Sequence, residues 1–146
     1  MAEPTTITGD QILIQVEMVP GSGTYAHPCL INSDRGFARS ANVISEVVPD
    51  CDDPSAPAWT STEVDGLAAS ISGSGMLDLT SLPDFDEWYE SGTNRNVKVK
   101  LGTAGGRTYT GAYKLTQFDQ TGTRKTRATA SITLNSDGVV TSAANA

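Results

Sequence analysis

The 146-residue sequence predicts a mainly β protein: a β-barrel or β-sandwich of about seven strands, with one short flanking α-helix and a long projecting hairpin. Apolar residues recur at every second position in several segments, which is the period of a strand with one buried face. Glycine-rich and proline-rich stretches separate these segments, and one segment alone has the spacing of an amphipathic helix. The length fits a single domain, 1–146.

The N-terminal part is predicted to contain an arm, residues 1–10, and then two strands. Mostly polar residues separate the apolar positions of the first strand, which are Ile12, Ile14, Val16 and Met18. After a glycine-containing loop, residues 25–31 are predicted to form the returning strand. Pro28 lacks the N–H that a ladder hydrogen bond needs, so this strand is expected at an edge or at a bulge.

A long hairpin is predicted for residues 37–64. Its two moderately apolar segments, 37–48 and 59–64, are separated by a connection that contains three prolines and three aspartates. Such a polar connection fits a hairpin tip that projects from the barrel.

The next strand is predicted to be rich in small residues. It runs from Leu67 to Leu79 and is expected to kink at Gly73 and Gly75. Small side chains on both of its faces would let another backbone approach closely.

One helix is predicted, with Ser81 as its N-cap, Pro83 in its first turn and Gly92 as its stop. Acidic residues follow the proline, near the positive end of the helix dipole. Three aromatic residues at helical spacing are expected to form one apolar face that packs on the sheet: Phe85, Trp88 and Tyr89.

The C-terminal part is predicted to hold three strands, 94–101, 108–118 and 124–134, which are separated by glycine-containing turns. Residues 135–146 are small and polar, and we predict a flexible C-terminal arm there.

Charge is unevenly distributed along the chain, whose net charge is −7. Residues 1–90 carry 15 acidic and 2 basic side chains, a balance of −13, whereas residues 91–146 carry 2 acidic and 8 basic side chains, a balance of +6. The net negative charge argues against a surface that grips nucleic-acid phosphates.

The compartment is predicted from what the sequence lacks. No stretch has the roughly 20 apolar residues of a membrane-spanning helix, and the N-terminus lacks a signal-peptide pattern, so we expect no membrane partner and synthesis in the cytoplasm. In that reducing compartment, Cys29 and Cys51 are expected to be small, partly buried thiols rather than a disulfide.

No catalytic, cofactor-binding or metal-binding pattern is convincing, so we predict a protein that is not an enzyme and has no cofactor. A strand would point His27 and Cys29 to one face, where Cys51 and its neighbouring aspartates could complete a metal site. The spacing typical of zinc or calcium ligands is absent, which favours a strand residue and a solvated acidic loop.

The order of these features resembles the tail tube proteins of long-tailed bacteriophages, including the major tail proteins of siphophages and gene transfer agents. Four segments carry the resemblance: Leu30–Gly36 (LINSDRG) leading into the long hairpin, Val64–Asp78 (VDGLAASISGSGMLD), the helix at Asp84–Glu90, and Thr110–Phe118 (TGAYKLTQF).

This resemblance implies a structural subunit of the virion tail, assembled as stacked six-membered rings. The implied partners are further copies of the chain, the tape measure, terminator and distal tail proteins, and double-stranded DNA that passes through the lumen without sequence-specific binding. In this family the long hairpin and the terminal arms usually make the contacts between rings.

We hypothesise that acidic residues of the hairpin or of the helix face basic residues of a neighbouring copy. The candidate contact residues are Val43, Glu46, Val47, Val48, Asp50, Asp52, Asp53, Arg124, Lys125 and Arg127. The alternative is that opposite charges intermix within each barrel.

Two other functions stay open at this point. A carbohydrate-binding or adhesin-like β-module would use exposed aromatic residues such as Trp59. A small nucleic-acid-binding β-barrel would use the basic C-terminal third of the chain.

Overall fold

The computed structural model of the protein describes residues 3–17, 19, 21–102 and 105–145. These residues form one seven-stranded antiparallel sheet and one α-helix. The elements, in chain order, are a 3-10 turn (Gly9–Gln11), β1 (Ile12–Val16), β2 (Asp34–Val48), β3 (Trp59–Met76), α1 (Leu82–Ser91), β4 (Arg95–Leu101), β5 (Arg107–Thr121), β6 (Thr129–Ser136) and β7 (Thr141–Ala144).

The sheet curls into a half-barrel with the strand order β1-β4-β5-β6-β3-β2, and β7 pairs with β5. Strands account for 53% of the chain and helices for 9%, so the predicted mainly β fold class is confirmed. β1 and β2 stand at the two ends of the strand order. Arg35 on β2 joins these ends, because its Nη1 donates to the carbonyl oxygens of Asp10, at 3.3 Å, and Ile12, at 3.0 Å.

The core lies between one face of the sheet and α1. Alternate residues of the strands point into it, and burial of each such aliphatic side chain contributes about 1.5–3 kcal/mol. The fully buried side chains of the core include Ile14, Val16, Ile71, Val97, Val99, Tyr113, Ile132 and Leu134 from the strands, Leu30 and Ile31 from the loop before β2, and Phe85 and Trp88 from α1.

The predicted strand at residues 25–31 is wrong. Only Ala26 forms a β-bridge there, with Val16. The two ring nitrogens of His27 instead lie 2.9 Å from the carbonyl oxygens of Ile14 and Ile31, so a side chain holds this segment to β1. Met18, predicted as the last apolar position of the first strand, lies outside the described residues.

The predicted strands at 59–64 and 67–79 are one continuous strand, β3. It pairs with β2 from Trp59 onward, and the change of register lies between Asn42 and Val43, where Asp65 is the extra residue of a β-bulge. β3 ends at Met76 rather than at Leu79. The N–H of Leu77 still donates to the Ala128 carbonyl oxygen at 2.9 Å, but residue 128 lies before the start of β6.

The C-terminal segment differs from the flexible arm predicted at 135–146. β6 continues to Ser136, and β7 pairs residue by residue with the start of β5. At its other end, β6 begins at Thr129 rather than at Arg124, since the intervening residues form the turn from β5.

α1 follows Ser81 and stops before Gly92, as predicted. The Ser81 hydroxyl does not cap the helix but donates to Asp78 at 2.8 Å. Gly92 adopts a left-handed conformation with φ 64°, and its N–H donates to the carbonyl oxygen of Trp88 at 3.3 Å.

The aromatic residues of α1 separate into buried and exposed positions. Phe85 and Trp88 are fully buried, and the ring centroids of Phe85 and Phe118 on β5 are 6.0 Å apart. Tyr89 was expected on the same packed face, but its side chain is 52% exposed. It follows Trp88 directly, about 100° further round the helix, and therefore stands at the rim of the apolar stripe.

Candidate assembly surfaces

The β2–β3 hairpin extends beyond the body of the subunit. From Val43 to Val48 and from Trp59 to Val64, its two strands pair with each other, and the side chains of both segments are exposed. Several of these side chains are large and apolar, and Trp59 is 87% exposed. Apolar side chains grouped on a projecting element are typical of a surface that another molecule covers.

The two faces of the projecting hairpin differ in charge. Side chains that are paired in register share a face, so the register divides the hairpin into two sets. The inner face, which continues the core-facing side of β2 and β3, consists of Val43, Ser45, Val47, Thr60, Thr62 and Val64. The outer face consists of Ile44, Glu46, Val48, Trp59, Ser61 and Glu63. The inner face is uncharged, whereas the outer face combines apolar side chains with two carboxylates.

The hairpin tip is an acidic loop. Asp50, Asp52 and Asp53 are all exposed. Asp50 accepts a hydrogen bond from the backbone N–H of Asp52 at 2.9 Å, and Asp53 accepts one from the Ser55 hydroxyl at 2.8 Å. These bonds shape the loop and leave the carboxylates at the surface.

The basic candidate residues lie at the opposite end of the subunit. Arg124, Lys125 and Arg127 are exposed in the turn between β5 and β6. This turn stands beside the end of β3, where Leu77 N–H donates to the Ala128 carbonyl oxygen at 2.9 Å. The 18 residues of β3 span about 60 Å between the acidic tip and the basic turn.

Opposite charges are rarely paired among the described residues of the subunit. In the part of the chain that the structure describes, one ion pair is found, between Lys114 and Asp137 at 3.7 Å, and both of these side chains are about half exposed. The alternative in which acids and bases intermix within each barrel therefore finds little support among these residues.

The residues considered for a metal site have other surroundings. Both nitrogens of His27 face backbone carbonyl oxygens, and Cys29 and Cys51 are exposed free thiols rather than the partly buried ones that were expected. Across residues 3–17, 19, 21–102 and 105–145, no three metal-ligating side chains come together. Over the same ranges, no helix has the length and apolar character that a membrane crossing requires.

The structure does not favour the carbohydrate-binding alternative. Such a site needs a groove lined by coplanar aromatic rings, and Trp59 stands alone on the hairpin. The Phe85–Trp88 pair, with ring centroids 6.2 Å apart, lies in the core.

Two features of these surfaces were missed at the level of sequence. Arg39 lies at the foot of the hairpin, where its guanidinium is 5.2 Å from the centroid of the Tyr109 ring. Val139 is exposed in the loop between β6 and β7. The adjacent valines at 139 and 140, in an otherwise small and polar tail, are the one sequence signal that could have indicated a surface there.

A family model described as phage tail tube protein matches residues 6–142. The chain belongs to this family. Among curated protein sequences, none matches it significantly. The match covers strands β1 to β6, the start of β7, the projecting hairpin and the helix.

Solved structures with a similar fold include gene transfer agent particles and the SPP1 tail tube. The tail of an empty gene transfer agent particle, refined with C6 symmetry, aligns over 95% of this chain and 100% of its own, with 19% identity and a TM-score of 0.76. The virion of a native gene transfer agent gives 17% identity, the same coverage and a TM-score of 0.74. The SPP1 tail tube gives 10% identity over 96% of this chain and 80% of its own, with a TM-score of 0.65.

Proposed function

We propose that this tail tube protein assembles as six-membered rings that stack head to tail into a conduit for double-stranded DNA. The observation that carries the proposal is the charge polarity of the subunit. Acidic side chains occupy the hairpin tip and basic side chains occupy the turn at the far end of β3. Two different patches that complement each other generate open, repeating assemblies, whereas a closed dimer needs one self-complementary patch.

The inter-ring contact joins the acidic tip of one ring to the basic turn of the next. Asp50, Asp52 and Asp53 stand opposite residues 124–127 of the copy above, and the valines at 47 and 48, which adjoin the tip, bury apolar surface beside them. Exposed ion pairs contribute only about 0.2–1 kcal/mol each. Six repeated contacts per ring, however, add their contributions within a single joint.

The net charge of the ring supports the proposed passage of DNA. Six copies at −7 carry −42 in total, so a duplex inside the tube meets little net attraction. The protein acts by shape and charge rather than as an enzyme, and its further partners are the proteins at the ends of the tail: the tape measure, the terminator and the distal tail protein. Its place is the virion tail, after synthesis in the host cytoplasm.

Charge reversal at the basic turn tests this proposal. In Arg124→Glu/Lys125→Glu we expect folded subunits whose tubes are at least several-fold shorter, as measured by electron microscopy. Wild-type assembly should weaken with increasing salt, because salt screens exposed pairs, and the double variant should lose this dependence. The matched control is Lys98→Glu/Lys100→Glu, which changes the net charge equally on β4 and should keep the salt dependence.

Unchanged tube length and salt dependence in the variant at the turn would contradict the inter-ring contact. A wild-type protein that forms neither rings nor tubes at any concentration or salt would contradict the proposed assembly itself.

A further inference from the structure

A cleft opens where the sheet divides at the foot of the hairpin. β3 pairs with β6 only as far as Ser70, opposite Asn135. Beyond this point β3 continues into the hairpin, while the chain after β6 turns away to pair with β5 as β7. The cleft between them has a volume of about 680 Å³, and Arg39, Leu67 and Val139 are among its lining residues.

The walls of the cleft are mainly apolar, with one cation and two serines among them. Leu67 is 79% exposed and Val139 is 81% exposed, on opposite sides of the opening. Arg39 is exposed, and no carboxylate in the described ranges forms an ion pair with it. The cleft therefore suits an occupant that offers a large apolar side chain with an acidic group close by.

The outer face of the hairpin offers this combination. Trp59 lies opposite Val48 in the β2–β3 register, and Glu46 stands two positions along the same face. Aromatic side chains carry much of the energy of protein interfaces when they enter a pocket. Glu46, like Arg39, makes no ion pair within the described part of the subunit.

We propose that Trp59 of one copy enters the cleft of the adjacent copy in the same ring, with Glu46 facing the neighbour's Arg39. This inference rests on the proposed function. Trp59 cannot reach its own cleft, because it stands eight residues above Leu67 on the same strand, about 26 Å away. A side chain and a pocket on different parts of one subunit form a heterologous contact, the kind that closes a ring. The acidic tip stays free to meet the next ring.

Cross-linking in assembled tubes tests the contact while Trp59 is kept. In a Cys29→Ser/Cys51→Ser background, Ser61→Cys on the outer face is combined with Val139→Cys, and a short bismaleimide is added. We expect covalent oligomers of up to six chains. The matched control, Thr62→Cys with Val139→Cys, places the thiol one residue away on the inner face and should give at least ten-fold fewer oligomers.

Substitutions supply the second measurement. We expect Trp59→Ala to raise the concentration needed for assembly at least ten-fold, and Thr60→Ala to change it less than two-fold. Arg39→Glu and Glu46→Arg should each impair assembly, and the double variant should recover most of it. All four residues are exposed, so circular dichroism of the subunit should be unchanged.

The outcomes separate this contact from the general proposal. Normal tubes with no intermolecular link from Ser61→Cys, or a link within a single chain, would overturn the Trp59 contact and leave the tail tube assembly standing. An equally efficient link from Thr62→Cys would also overturn it. Failure of the wild-type chain to form rings would contradict both the Trp59 contact and the proposed tail tube assembly.

Discussion

The hydroxyl group of Tyr113 is buried in the core without a hydrogen-bond partner. Its cross-strand neighbour on β4 is Arg95, whose Nε and Nη1 also lack partners and whose guanidinium lies 5.3 Å from the centroid of the Trp88 ring. A buried polar group without a partner costs about 1–3 kcal/mol. The centre of the sheet is therefore less stable than its packing would allow.

Removal of this hydroxyl should stabilise the subunit. In Tyr113→Phe we expect the free energy of unfolding at pH 7 to rise by about 1 kcal/mol, because the ring keeps its packing and the unpaired group is gone. Urea unfolding followed by circular dichroism measures the change. A decrease of similar size would mean that the hydroxyl has a partner, such as a buried water.

The pKa of Tyr113 predicts how the stability of the subunit depends on pH. Burial raises the pKa of Tyr113, and the positive charge of Arg39 partly opposes this shift. Because the folded-state pKa is above the ordinary value of 10.0, the contribution to stability is complete below that pH and is lost as the pH rises through the folded-state pKa. Unfolding midpoints between pH 8 and 11 should fall less steeply in Tyr113→Phe than in the wild type.

Among the elements, β3 depends on glycine where another backbone crosses it. A Cβ atom on Gly75 would lie 2.8 Å from the backbone nitrogen of Asn32 and would also collide with the Asn32 amide oxygen. The Asn32 side chain already makes two hydrogen bonds to Met76. It accepts one from the Met76 N–H at 3.0 Å and donates one to the Met76 carbonyl oxygen at 3.1 Å. The amide of Asn32 thus replaces a neighbouring strand at the end of β3.

A methyl group at position 75 should disrupt the hydrogen bonds between the Asn32 amide and the end of β3. In Gly75→Ala we expect the free energy of unfolding to fall by about 1–3 kcal/mol, the usual cost of overpacking. Gly66→Ala on the same strand is the control, because the nearest atom to its added Cβ is 3.9 Å away. Equal thermal unfolding midpoints for the two variants would contradict this explanation.

The same elements show which parts of the fold can be predicted from sequence. β4 and β5 alternate apolar with polar residues, so their existence and approximate bounds follow from a local pattern. β7 consists of threonine, serine and alanine, which have no such contrast, and it forms through backbone pairing with β5. Residues 25–31 show the opposite case, since an apolar pattern is present but the side chain of His27 replaces the ladder.

The assembly surfaces also include features that the sequence predicts and one that it does not. The projecting hairpin and the separation of charge can be predicted from composition and turn residues, because both are local properties of the chain. The cleft is not, because it needs residues near 40, 68 and 139 to meet. That meeting depends on the point where β3 leaves β6, which no local pattern specifies.

At the scale of the whole molecule, one arginine of β2 stabilises the fold and another serves the proposed assembly contact. Arg35 spans the opening of the half-barrel and bonds to the backbone at the start of β1. Arg39 lies four residues further along the same face of β2, exposed at the cleft. Replacement of each by methionine keeps most of the side-chain volume and removes the charge.

The two variants should therefore fail in different experiments. Arg35→Met should lower the free energy of unfolding by about 1–3 kcal/mol, because charged hydrogen bonds to two carbonyl oxygens are lost, and hydrogen exchange in β1 should become faster. Arg39→Met should change the free energy of unfolding by less than about 1 kcal/mol, the value of an exposed cation–π contact, yet it should impair ring formation. If Arg39→Met destabilised the subunit as much as Arg35→Met, its effect on assembly could be explained by folding alone, and the cleft would lose its charged contact.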